Sequence, residues 1–143
     1  MELKINDGGR SDAGYKGYTG DCVTRAISIA LELPYQKVYD DLNGMGKQER
    51  ISKRKKKKSN SRTGVYRTSY DKYLKSMGWK WNPTMTIGSG CKVHLKASEL
   101  PSGRIIVRLS RHIAAVIDGV LNDTYDCSRN ETRCVYGYYS KAE

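Results

Sequence analysis

The spacing of apolar residues changes period near Gly78, and this change constrains the fold more than any other feature of the chain. Before it, Val23, Ala26, Ile27, Ala30 and Leu31 recur every three or four positions, as on one face of a helix that starts at an N-cap Asp21. A second helix is expected to begin near Pro34, with Tyr35, Val38, Tyr39 and Leu42 on one face, and to end at Asn43-Gly44. A third starts at Ser69, carries Tyr70, Tyr73, Leu74 and Met77, and stops at Gly78. After Gly78 the pattern favours strands. Cys91, Val93 and Leu95 alternate with polar residues, and 104–109 and 112–117 are rich in β-branched residues. Asp118-Gly119 is a two-residue hairpin signal, the chain returns over 120–125, and 135–139 makes another strand. Helices followed by an antiparallel sheet predict an α+β fold. Residues 1–20, rich in Gly, Asp and Ser, read as an irregular lead-in.

At 143 residues the chain is expected to form a single domain with its own core. Phe is absent and Tyr numbers 11, so that core leans on Tyr, Trp and aliphatic side chains. The formal charge is +11, but Lys47 to Arg67 holds ten basic residues against one acid. This stretch carries a net +9, leaving only +2 for the remainder. With almost no apolar residue from 45 to 64, the basic stretch (about 45–67) is expected to be a flexible loop. No apolar run approaches the roughly 20 residues of a membrane span, and the first ten residues lack the pattern of an export signal. A cytoplasmic protein with no membrane partner is therefore expected. Its four cysteines, which allow three pairings as two disulfides, are expected to be reduced.

Cys22 falls in the first turn of the first helix, where the helix dipole and free N–H groups favour a thiolate. A nucleophile needs a base and an orienting group, and the hairpin supplies both. With Asp118-Gly119 as the turn, Ile117 pairs with Val120, Ala114 faces Asp123 and His112 faces Tyr125. Asp123 is then the same-face diagonal neighbour of His112, at roughly 7 Å between backbones, a gap that the two side chains close. Asn122 and Asp126 fall on the opposite face. Cys22, His112 and Asp123 thus have the residue types and contexts of nucleophile, general base and acid, and orienter.

Gly20-Asp21-Cys22 opening a helix, His112-Ile113-Ala114-Ala115-Val116 on one strand and Asp123-Thr124 on the next resemble the papain-like cysteine peptidases in their smallest form. In particular, the chain is similar to small papain-fold proteins encoded by tailed bacteriophages and prophages, over about Tyr15 to Tyr139, with the basic loop as an insertion. The resemblance implies a papain-like fold and a thiol hydrolase acting on a peptide or isopeptide bond of a phage or host protein, in the host cytoplasm. It implies no cofactor. Papain-like enzymes place a Gln shortly before the Cys to complete the oxyanion hole, but no Gln or Asn lies between Ala13 and Cys22. The Cys22 N–H is therefore expected to be joined by a donor from Tyr18 or Thr19.

A non-enzymatic alternative keeps the scaffold and uses the basic loop, through Lys53, Arg54, Lys55, Lys56, Lys57, Lys58 and Arg62, to engage nucleic acid or an acidic protein. The same loop is open to two other readings, a merely solvated segment or a device that steers an acidic substrate. No aromatic interleaves the Lys run, so base stacking is not expected there. Cys91-x-x-His94 with Cys127 and Cys134 has a partial zinc pattern, but the six-residue gap in the second pair argues for packing cysteines and no metal. Of Trp79 and Trp81, one is expected to be buried and one near the surface.

Overall fold

A computed structural model describes residues 1–17, 19–53, 56–86 and 88–142. Three helices, α1 (Cys22–Leu31), α2 (Tyr35–Lys47) and α3 (Arg67–Ser76), pack against one face of a six-stranded open sheet. Its strands are β1 (Leu3–Ile5), β2 (Trp79–Pro83), β3 (Arg104–Leu109), β4 (His112–Ile117), β5 (Val120–Asp123) and β6 (Gly137–Lys141), in the order β1-β5-β4-β3-β6-β2. The α+β class expected from the period change is the one observed.

The sheet is mixed, not purely antiparallel, because β1 lies parallel to β5. The lead-in thus contains an edge strand, three residues long, too short for alternation to be visible. Strand β2, which brings Trp79 and Trp81 into the sheet, pairs with β6 at the opposite edge. The alternating segment at Cys91 to Leu95 is not a strand: it makes a single bridge, His94 to Cys134. Its alternation reflects Leu95 plugging the sheet face, where it is fully buried. Cys91 and Cys134 form a disulfide, Cα to Cα 5.8 Å, which corrects the expectation of four reduced thiols. Cys22 and Cys127 are free.

Helix boundaries differ from expectation at two places. α2 runs on past Asn43-Gly44 to Lys47, and α3 begins two residues early at Arg67. The extension of α2 has a tertiary cause. The Asn43 side chain accepts a hydrogen bond from the Ser61 N–H at 2.8 Å, and the Ser61 hydroxyl donates to the Tyr39 carbonyl. The end of the basic segment therefore lies along this helix. It is tied further by Thr24 Oγ1 donating to the Ser61 carbonyl (2.9 Å) and by the Glu49 carboxylate receiving the Ser59 N–H (2.5 Å).

Apolar side chains fill both faces of the sheet. Ile106, Ile113, Ala115 and Tyr139 meet the helices. Ile105, Val107, Ala114, Val116 and Leu121 meet Leu95, Cys127 and Val135 from the loops across the other face. α1 is central, with every residue from Val23 to Ala30 buried. Its last carbonyls, on Ile29 and Ala30, accept hydrogen bonds from Arg104 of β3, a guanidinium at the negative end of the helix dipole. Trp79 is buried and Trp81 half-buried on the same face. Among the described residues no helix is long and apolar enough to cross a membrane.

Candidate active site

Asp118 and Gly119 both have positive φ, 49° and 78°, as a type I′ turn requires. The turn sets the register Ile117 to Val120, Val116 to Leu121 and Ala115 to Asn122. β5 ends at Asp123, two positions short of the expected Tyr125. The His112 and Tyr125 rings nevertheless sit 5.6 Å apart. His112 Nε2 is 2.7 Å from Asp123 Oδ2, closing the diagonal. The second Asp123 oxygen accepts the Thr124 N–H at 2.8 Å, which orients the carboxylate.

Cys22 approaches this pair from the helix layer. Asp21 occupies the N-cap position of α1, but its carboxylate makes no capping bond. It turns instead to the Arg25 guanidinium, to Tyr35 Oη at 2.6 Å and to Arg10 at 3.4 Å. The first-turn N–H groups are thereby left facing the Cys22 end of the helix. The thiol lies against the His112 ring and the Ile113 N–H. Burial pushes the Cys22 thiol up, yet the hydrogen bond and charge of His112, with help from Ile113 and Arg25, hold it below its ordinary value. Burial alone lowers the His112 value, but Asp123, Cys127 and Cys22 together push it up to about 12. Asp123 is held below the usual carboxylate range because His112, Thr124 and Arg25 outweigh its desolvation. The arrangement is a thiol of lowered pKa beside a protonated imidazole that a carboxylate orients.

Three groups around the site were not placed there by the sequence. Arg25, 8% exposed, bonds Asp21 with one terminal nitrogen and reaches Asp123 Oδ1 at 3.4 Å with the other. The Asp21 and Arg25 pair is visible as an i,i+4 spacing on the helix, although nothing local points it at Asp123. Arg10 closes the far end of the same buried chain of charges. Cys127 is buried beside His112 and Asp123, and the three ligand-type atoms lie within 4.8 Å of one another. With His112 and Asp123 it forms a cluster of metal-ligand type among the described residues. Its partners, however, differ from the Cys91-x-x-His94 pattern: Cys91 and Cys134 are consumed by the disulfide, and His94 bonds Glu99.

The two side chains expected to complete an oxyanion hole fare differently. Tyr18 lies outside the described residues. The Thr19 hydroxyl donates to the Arg62 carbonyl at 2.6 Å, so it is committed to holding the basic segment. That segment shapes the site from the other side. Gly20 is needed because a Cβ there would stand 2.8 Å from the Thr63 carbonyl, so the 60–64 turn packs directly on the turn before Cys22. The turn is held by the Asn60 side chain, which accepts the Arg62 and Thr63 N–H groups.

Between this turn and the β3–β4 connection lies a cleft of about 720 Å³ that contains both Cys22 and His112. Its walls carry Tyr70, Tyr125, Arg67, Arg108 and Arg111. Of the basic-loop residues, Lys53, Lys56, Lys57, Lys58 and Arg62 are exposed and line no part of it, while Arg54 and Lys55 lie outside the described residues. Comparison of the chain with protein-family models, with curated proteins and with solved structures found no match, so the candidate site rests on its own geometry.

Proposed function

We propose that the protein is a thiol hydrolase of papain-like design that cleaves a peptide or isopeptide bond. The observation that carries this reading is the convergence of Cys22, His112 and Asp123, from a helix start and two adjacent strands, at one cleft. The Cys22 thiolate attacks the substrate carbonyl carbon, and the carbonyl electron pair moves onto oxygen. Uncapped N–H groups at the start of α1, the Cys22 N–H foremost, are the donors best placed for that oxyanion. They take the role that a preceding Gln fills in papain-like enzymes. As the C–N bond breaks, His112 gives its proton to the departing amine, leaving a thioester on Cys22. His112, now neutral, takes a proton from water, the hydroxide adds to the thioester carbon, and the acid leaves as the thiolate is restored. Asp123 holds the imidazole orientation throughout.

The test is stoichiometric labelling with an ubiquitin-like or peptidyl probe bearing a C-terminal thiol-reactive electrophile. Labelling confined to Cys22 and lost on His112→Ala supports the reading, and an unreactive Cys22 at neutral pH refutes it.

A second reading draws on the exposed Lys53, Lys56, Lys57 and Lys58, none of which is within ion-pair distance of a carboxylate among the described residues. As a binding surface for nucleic acid or an acidic protein, this segment would act independently of Cys22. Salt-dependent binding that survives Cys22→Ala and is lost when these lysines are neutralised distinguishes it.

A further inference from the structure

The wall of the Cys22 cleft holds a pair of guanidiniums that no carboxylate among the described residues pairs with. Arg67 opens α3 and Arg108 lies in β3, and their guanidinium carbons sit 5.2 Å and 5.9 Å from the ring centre of Trp81. Arg108 also lies 5.7 Å from the Tyr136 ring. Stacking on an indole restrains a guanidinium while leaving its hydrogen-bonding edge free, which makes a rigid fork for a carboxylate. The platform is built into the sheet. Gly137 of β6 is the register partner of Arg108, and a Cβ at Gly137 would collide with the six-membered ring of Trp81. Its missing side chain lets the indole from β2 lie across β6 towards β3.

Two like charges gathered on one ring repel each other, and no carboxylate of the described residues contacts either of them. Among the described residues neither arginine is within ion-pair distance of a carboxylate, and no carboxylate lines the cleft. Asp71, one turn along α3 from Arg67, is held by Lys75 at 2.8 Å and by the Tyr139 hydroxyl. Arg111, exposed at the β3–β4 turn, adds a third positive charge to the same wall. Buried Tyr70 lies within electrostatic range of Arg67, Arg108 and Cys22 alike, so the charges and the thiol share one neighbourhood.

We infer that Arg67 and Arg108 on the Trp81 platform form a specificity subsite of this cleft, and that the substrate is a polypeptide with an Asp or Glu side chain close to the bond presented to Cys22. The inference rests on the hydrolase reading for its chemistry and on the wall alone for its binding preference. A peptide fits better than a nucleic acid at this subsite because its Trp81 and Tyr136 rings carry guanidiniums over them, and a base would need an open ring face on which to stack.

The test is binding to the Cys22→Ala protein of two fluorescent peptide pools, randomised except for a fixed central Glu or Gln. The Glu pool is expected to bind about tenfold more tightly, the worth of one charge-assisted hydrogen bond. Arg67→Gln with Arg108→Gln should bring the two pools to equal affinity. Arg67→Gln alone, at an exposed position, should remove part of the preference and gives the same information if the double variant does not fold. Equal binding of the pools to Cys22→Ala protein, or a Glu preference that survives the double variant, would overturn the subsite. So would a single-stranded oligonucleotide that displaces the Glu pool and itself depends on Arg67 and Arg108. None of these readouts uses the thiol, so a failure here leaves Cys22 labelling intact, and an inert Cys22 leaves the binding preference measurable.

Discussion

Cys22 and Cys127 are both free thiols beside His112, yet their surroundings drive them in opposite directions. Cys22 is half-buried at a helix start, with the charge of Arg25 in reach and its carboxylate neighbour Asp21 neutralised by Arg10 and Arg25. Its thiol is held down. Cys127, 1% exposed, has the Asp123 carboxylate close by. Burial, the largest influence, pushes the Cys127 thiol up, and the Asp123 carboxylate offsets part of the lowering by His112, so the net direction is up. One imidazole therefore serves two thiols and activates only the one on the side away from the carboxylate. Proximity to a histidine is not enough to make a thiol reactive; burial and the neighbouring charges together set its acidity.

The comparison can be broken outright by Cys22→Ala, which should abolish the proposed hydrolysis and labelling by a neutral alkylating agent, with Cys127 still unlabelled in the folded protein. Peptide mapping by mass spectrometry reads the result, and labelling of Cys127 at the same rate as Cys22 in the parent protein would void the contrast. The next largest effect is expected from His112→Ala. Loss of the imidazolium should raise the Cys22 thiol and slow its alkylation at pH 7 by about tenfold or more.

The pH dependence sharpens the same point. Because Cys22 is lowered, its thiolate is present above its folded pKa and lost as pH falls through it, so the half-maximal alkylation rate should lie below the ordinary thiol value of about 8.5. His112, pushed up to about 12, keeps its proton through neutral pH, so no second step should appear between pH 6 and 8. In Asp123→Asn the imidazolium loses its carboxylate partner, so the midpoint for Cys22 should move up, and an unchanged or lowered midpoint would contradict the assignment of charges.

Smaller effects belong to the scaffold. Removing the disulfide with Cys91→Ser and Cys134→Ser should cost about 2–4 kcal/mol in denaturant unfolding and leave the Cys22 alkylation rate unchanged. Gly20→Ala, which sets a methyl group against the Thr63 carbonyl, should cost about 1–3 kcal/mol and, unlike the disulfide change, slow alkylation by displacing the turn before Cys22.

The legible parts of this molecule are those governed by neighbours in the chain. Helical spacing around Val23 to Leu31 and the turn at Asp118-Gly119 are local signals, and the His112 to Asp123 contact follows from them because a hairpin register propagates from its turn. The N-cap position of Asp21 was legible as well, although its carboxylate has another use. Edge strand β1, the docking of Ser59 to Ser61 along α2 and the Cys91 to Cys134 pairing carry no comparable signal. Each joins segments far apart in the chain, and each is chosen by what else needs covering.

The sequence by itself determined the fold class, the hairpin and the identity of three chemically apt residues, since periodicity, turn chemistry and side-chain type act within a few residues. Tertiary structure alone decided that α1 lies across β4 with Cys22 against His112, and that Asp21 and Arg25 face inward as a charged strut to Asp123. It also decided that Cys127 sits behind the imidazole while Arg67 and Arg108 meet over Trp81. The physical reason is that burial and charge act through space: a thiol's acidity and a guanidinium's freedom depend on neighbours brought from elsewhere in the chain, and packing selects those neighbours.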